Sequence, residues 1–182
     1  MAAIKNIKLL LTDVDGVLTN GKVYMGIREE LVGFDIQDGI GHRLAAYGGL
    51  KVGWLSGRNS KPVAIRARKL KVPFVYQGKL DKLMVAKGLC AKLGISLKET
   101  AYMGDDLIDI PLLQVVGFSA TVPYGRPEVK KVVDHVTQAP AGVGAFREVV
   151  EKILKAQGRW QGTLSAFHRG NRQSAHSSRG ID

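Results

Sequence analysis

Residues 8–23 read "KLLLTDVDGVLTNGKV": a short apolar run passes straight into two aspartates one residue apart, Asp13 and Asp15, followed by Gly16 and Thr19. This is the pattern of a strand that ends in charge. Either the charge has simply reached solvent, or the two carboxylates hold something. What stands at the ends of the other strands decides between these.

Outward from this stretch, apolar runs alternate with helical patterns. Residues 7–12, 51–56, 73–77, 100–104, 117–122 and 134–137 read as strands, the first five largely apolar on both faces, as in strands covered by helices. Helices are expected between them. One begins behind Asp38 as N-cap and runs through "GIGHRLAAYGG" to a glycine stop. One spans 60–70, with Ser60 as cap and Pro62 in the first turn, and one spans 82–93, behind Asp81 and closed by Gly94. "SLKE" at 96–99 is a capping box, and a last helix over 145–157 stops at Gly158. The alternation predicts an α/β fold, a Rossmann-like parallel sheet sandwiched by helices, with ligands at the carboxyl ends of the strands. It breaks once, where residues 20–36 read as a β-hairpin inserted directly after the first strand. One domain is expected over residues 1–158. From 159 to 182 the chain is poor in aliphatics and rich in Ser, Gly, Arg and His, which reads as a flexible basic tail.

Composition bounds the function. With 182 residues, 45% hydrophobic and 24% charged, the chain can bury one real core. The single cysteine, Cys90, forbids an intrachain disulfide and fits a reducing compartment; its apolar-periodic surroundings read as core. No apolar stretch approaches a membrane span and no cleavage site follows the first apolar run, so a cytoplasmic, soluble protein is expected. The net charge of +11 invites a nucleic-acid partner, with the basic tail as the candidate contact. The charge is scattered, however, and no aromatic-interleaved basic motif accompanies it. A small polyanion such as a phosphate ester suits the same field, and nucleic acid is the alternative reading.

The strand ends carry the chemistry. The first ends at Asp13-Val14-Asp15-Gly16, the second at Ser56-Gly57-Arg58, and the third leads to Lys82 at a helix start. The fourth ends at Gly104-Asp105-Asp106, with Asp109 three residues on. Taken singly, each has a plain structural explanation: a turn, a solvated lysine, an acidic helix start. Together, in order and each behind its own strand, they put carboxylates, one hydroxyl and one ammonium along one sheet edge. Clustered carboxylates need a counter-charge, and a hard divalent cation, Mg²⁺ above all, supplies it. A lysine and a hydroxyl opposite such an ion suit the oxygens of a transferring phosphoryl group.

"DVDGVLT", "SGR", the Lys82 helix start and "GDDLID" resemble the four motifs of the haloacid dehalogenase superfamily, over residues 7 to about 157. The resemblance implies Asp13 as nucleophile and Asp15 as general acid/base. It implies Mg²⁺ held by Asp13, the Asp15 carbonyl and Asp105, with Ser56 and Lys82 on the phosphoryl group and Asp106 and Asp109 behind them. Only the hairpin fills the gap after the first motif, so the chain is similar to the capless members, in which a partner subunit is the natural cover. "FDIQDGIGHR", "SGRNSKPVAIRARKL", "YQGKLDK" and "GVGAFREVVEKIL" further resemble the branch that dephosphorylates the eight-carbon sugar acid 3-deoxy-D-manno-octulosonate 8-phosphate for lipopolysaccharide synthesis. That branch implies a homotetramer and substrate contacts from Asp38, Gly39, Arg43, Arg58 and Arg66. The alternatives are a nine-carbon sialic-type acid phosphate as substrate, and Arg43 and Arg66 as plain solvated helix arginines.

Overall fold

The computed structural model describes residues 3–27 and 29–177. After a short 3-10 turn at Ala3–Asn6 come β1 (Leu9–Thr12), the hairpin strands β2 (Tyr24–Met25) and β3 (Glu30–Leu31), α1 (Ile36–Tyr47), β4 (Lys51–Leu55), α2 (Lys61–Lys69), β5 (Phe74–Tyr76) and α3 (Lys82–Leu93). Then follow β6 (Thr100–Met103), the one-turn α4 (Ile110–Leu113), β7 (Phe118–Thr121), the one-turn α5 (Pro127–Lys130), β8 (His135–Val136), α6 (Ala145–Ala156) and α7 (Trp160–Ser177).

Six strands form one parallel sheet in the order β5-β4-β1-β6-β7-β8, and β2 and β3 pair antiparallel as a separate ribbon. Period-two alternation gives the sheet two apolar faces. Leu10, Trp54, Met103 and Ala120 pack with α1, α2 and α6 on one side, while Leu9, Leu11, Leu55 and Tyr102 pack with α3 and α4 on the other. Each fully buried large apolar side chain contributes about 1.5–3 kcal/mol. From β1 the chain winds first to β4 and β5, then crosses back to β6, β7 and β8 on the other flank. The switch in direction therefore lies between β1 and β6, where an open parallel sheet has its crevice. No cap domain is present among the described residues; the ribbon alone separates β1 from α1.

Two expectations are corrected, and the capping box is borne out on a short element. The cap of α1 is Asp35, whose carboxylate accepts the Gln37 N–H, and Asp38 lies inside the first turn. "SLKE" makes its capping box, but over a single 3-10 turn, Leu97–Glu99. The segment read as a tail forms α7, which packs on α1 and α6; the last five residues of that expected tail lie outside the described residues. The physical reason is a narrow apolar stripe at helical spacing: Trp160, Leu164 and Phe167 pack against the α1/α6 core, and Thr163 is buried beside them. The tyrosine ring of Tyr47 meets Phe167 edge-on at 5.8 Å.

Candidate active site

The β1 strand leaves the sheet at Thr12, and the chain turns at Gly16, where φ is +91° and a Cβ would run into the Asp105 carboxylate. Only glycine serves there, because the β1 and β6 loops must approach this closely. Asp13 is thereby buried at the head of β1, its Oδ1 accepting the Val14 N–H at 2.7 Å. Beside it the β6 loop brings Asp105 and Asp109. Oxygens of Asp13, Asp105 and Asp109 all lie within 4.8 Å of one another.

Lys82 opens α3 and projects into this cluster, 1% exposed, with Nζ 2.9 Å from Asp13 Oδ2 and 2.7 Å from Asp109 Oδ1. Burial works against its ammonium, but Asp13 and then Asp109 outweigh that and hold Lys82 above its usual value. Asp109 is saturated: Oδ1 also accepts the Tyr102 hydroxyl at 2.5 Å, and Oδ2 accepts the N–H groups of Asp105 and Asp106 at 2.9 and 3.1 Å. Asp105 is the opposite case, since its Oδ1 is buried without a partner. Burial, then the charges of Asp13 and Asp109, push Asp105 up to about 7. Burial also raises Asp13, against the pull of Lys82. Three carboxylates with one ammonium leave surplus negative charge. The orphan oxygen of Asp105 therefore fits a hard divalent cation shared with Asp13, whereas Asp109 has no lone pair left to offer beyond its four donors.

On the other side of Asp13, Ser56 is buried at the end of β4. Its Oγ lies 3.3 Å from Asp15 Oδ2 and accepts the Arg58 N–H at 3.1 Å. Arg58 Nε reaches the same Asp15 oxygen at 3.4 Å. Asp106 is exposed and caps the 3-10 turn Leu107–Asp109 through the Leu107 N–H.

Of the residues expected to meet substrate, the structure gives four another occupation. Asp38 is buried, and its two oxygens accept the N–H groups of Arg147 (3.1 Å) and Gly144 (3.3 Å) at the start of α6. Gly39 sits inside α1, where a Cβ would press on Arg66 Nη2. Arg43 bonds Asn171 and covers the Phe167 ring at 5.0 Å, so α7 claims it. Arg66 donates to the Asp35 carbonyl at 3.2 Å and lies over Phe34 at 5.8 Å. The packing of α1 against Arg66 of α2 and the start of α6, and the formation of α7, produce all four placements. Arg58 alone stays beside the carboxylates. Two residues escaped the sequence reading. Tyr102 could have been suspected as the strand position facing α3 two residues ahead of Gly104; Glu30, on the ribbon, carries no local signal.

Residues 55–146 match the haloacid dehalogenase-like hydrolase family. A 3-deoxy-D-manno-octulosonate 8-phosphate phosphatase of Escherichia coli strain K12 is 42% identical over 160 residues, 87% of this chain and 85% of that protein. The chain belongs to the haloacid dehalogenase-like hydrolases. Among solved structures of such hydrolases, the Moraxella catarrhalis 3-deoxy-D-manno-octulosonate 8-phosphate phosphatase, in complex with magnesium, phosphate and KDO, superposes with a TM-score of 0.88. It is 38% identical, with 91% of this chain and 96% of that one covered. The cobalt-bound Haemophilus influenzae phosphatase superposes at 0.84, 37% identical, covering 89% and 99%.

Proposed function

We propose that this chain is a magnesium-dependent phosphomonoesterase that hydrolyses 3-deoxy-D-manno-octulosonate 8-phosphate to the free sugar acid and phosphate. The observation that carries the reading is the buried Lys82 clamped between Asp13 and Asp109 beside an orphaned Asp105 oxygen. It occurs in a chain 42% identical to an enzyme named for that reaction. Asp13, the Asp15 carbonyl and Asp105 would hold the magnesium ion, which when bound neutralises charge on the phosphoryl oxygens.

The chain's own residues then act in order. Lys82 and Ser56 hold the phosphoryl group against Asp13. The Asp13 carboxylate attacks phosphorus, the ester P–O bond breaks, and Asp15 gives its proton to the departing sugar oxygen. Water next attacks the aspartyl-phosphate while Asp15 takes a proton from it, releasing phosphate and restoring Asp13. Lys82, held charged by its two carboxylates, keeps Asp13 oriented through both steps.

The working form is a homotetramer in the cytoplasm. Support for assembly comes from the ribbon beside the site, where Tyr24, Met25, Ile27 and Leu31 stand exposed on an element with open edges. Support for the location comes from a single free, buried cysteine and from the absence, among the described residues, of any helix long and apolar enough to cross a membrane.

The test is phosphate release from the eight-carbon and the nine-carbon acid phosphates, with and without magnesium. The proposal expects magnesium-dependent release favouring the eight-carbon ester. Preference for the nine-carbon ester would move the substrate; no release from any sugar phosphate would remove the function.

A further inference from the structure

Of the four side chains in β2 and β3, Tyr24, Met25 and Leu31 face solvent and only Glu30 turns inward. Its carboxylate, 18% exposed, receives the Ser60 hydroxyl in a close hydrogen bond and lies 3.4 Å from Arg58 Nη2. Ser60 occupies the cap position of α2 yet makes no side-chain cap bond; its hydroxyl donates to Glu30. Arg58 therefore stands between two carboxylates: Nη2 on Glu30 from the ribbon, Nε on Asp15 Oδ2 from the β1 loop. Both the Arg58 and the Ser56 contacts to Asp15 fall on Oδ2, so neither engages Oδ1.

We propose that Glu30 is a positioning residue: it draws the Arg58 guanidinium toward the ribbon, so that Asp15 keeps one oxygen available to the departing sugar oxygen. This rests on the phosphatase reading and on Asp15 as its proton donor. The physical ground is the geometry of arginine. With a single carboxylate within reach, a guanidinium closes on it as a two-pronged pair that engages both oxygens. With Glu30 competing, the contact to Asp15 stays long and one-sided. The ribbon thereby reaches the chemistry without supplying any group to the substrate.

The leaving group reads this out. A sugar alkoxide departs only with a proton, whereas 4-nitrophenolate departs without one. Because Asp15 also serves the aspartyl-phosphate hydrolysis that both esters share, the readout is kcat/KM, which reports the leaving-group step alone. Glu30→Gln should lower it about tenfold on the sugar-acid phosphate, a fraction of what general acid catalysis contributes, and much less on 4-nitrophenyl phosphate. Glu30→Asp, which keeps the charge on a shorter arm, should recover part of the difference. In an Arg58→Ala background Glu30→Gln should add no further loss. An equal fall in kcat/KM on both substrates, or losses that add in the Arg58→Ala background, would each overturn the proposal while leaving the phosphatase reading intact. Should Glu30→Gln fail to fold by circular dichroism, Ser60→Ala loosens the same carboxylate and must show the same split at smaller size. A parent enzyme inert on both esters would remove the phosphatase reading and this proposal together.

Discussion

Two aspartates are buried in this molecule by opposite means. Asp38, on α1 against the start of α6, has each oxygen on a backbone N–H, and the neighbouring polar groups complete one another. His42 Nδ1 donates to the Asp38 carbonyl at 2.7 Å, and its Nε2 accepts the Trp54 indole N–H at 2.8 Å. Asp105, at the mouth of the sheet, has a buried oxygen with nothing on it and two further carboxylates at hand. Both carboxyls are raised by burial, to about 6 and about 7. Burial and a shifted pKa therefore do not separate architecture from chemistry here. Satisfaction does: the aspartate whose donors are supplied by the fold is part of the fold, and the one left wanting awaits a ligand.

The sharpest test of that contrast is Asp13→Asn, which keeps the shape of the cluster and removes the nucleophile. Phosphate release should fall by about three orders of magnitude or more, and a loss within tenfold would break the assignment. Next comes Asp105→Asn, expected to reduce turnover about a hundredfold while stabilising the metal-free protein by about 1 kcal/mol at pH 8, since it relieves repulsion among buried carboxylates. Thermal melts should show this as a rise of roughly 3 °C. Millimolar magnesium should raise the parent's melting temperature and leave the variant's unmoved. If Asp105→Asn melts lower than the parent, the oxygen was not wanting. Asp38→Ala should do the reverse, costing about 1–2 kcal/mol in chemical denaturation with turnover within about threefold. A collapse of turnover at full stability would return Asp38 to the substrate.

The smallest effect is in pH. His42, neutral in the fold, ionises near 4 because burial disfavours its charge, against 6.5 ordinarily. Its contribution is complete above pH 6.5 and is lost as pH falls toward 4, where a second ring proton would confront the Trp54 N–H. Asp38 is raised to about 6 from 3.8, so it favours the fold at low pH and that contribution fades as pH rises through 6. Between 4 and 6 the two oppose one another. Asp38→Ala should therefore lose stability more steeply than the parent from pH 6 to 4 in urea titrations, and parallel curves would contradict the opposition.

The strand-end cluster was readable because a parallel sheet turns sequence order into spatial assembly. Asp13, Ser56, Lys82 and Asp105 each follow a strand, and the sheet sets those ends side by side. The saturation of Asp109 was not readable, since the Tyr102 hydroxyl reaches it from inside a strand that sequence shows only as apolar. "FDIQDG" offers two aspartates three apart, either of which can cap a helix; the choice of Asp35 follows from the docking of α6, whose first N–H groups claim Asp38. Composition concealed α7: glycines, serines and arginines outnumber the few apolar residues whose spacing builds the stripe, and Arg43 lost its freedom to a helix 128 residues away in sequence.

Lys82 has one more consequence. An amine sealed between two carboxylates is invisible to reagents that acylate surface lysines. It becomes reactive only when the catalytic edge opens and frees it from Asp13 and Asp109. Mass-resolved labelling of this single site would therefore act as a clock for local opening of the catalytic edge, read against the many exposed lysines that react at once.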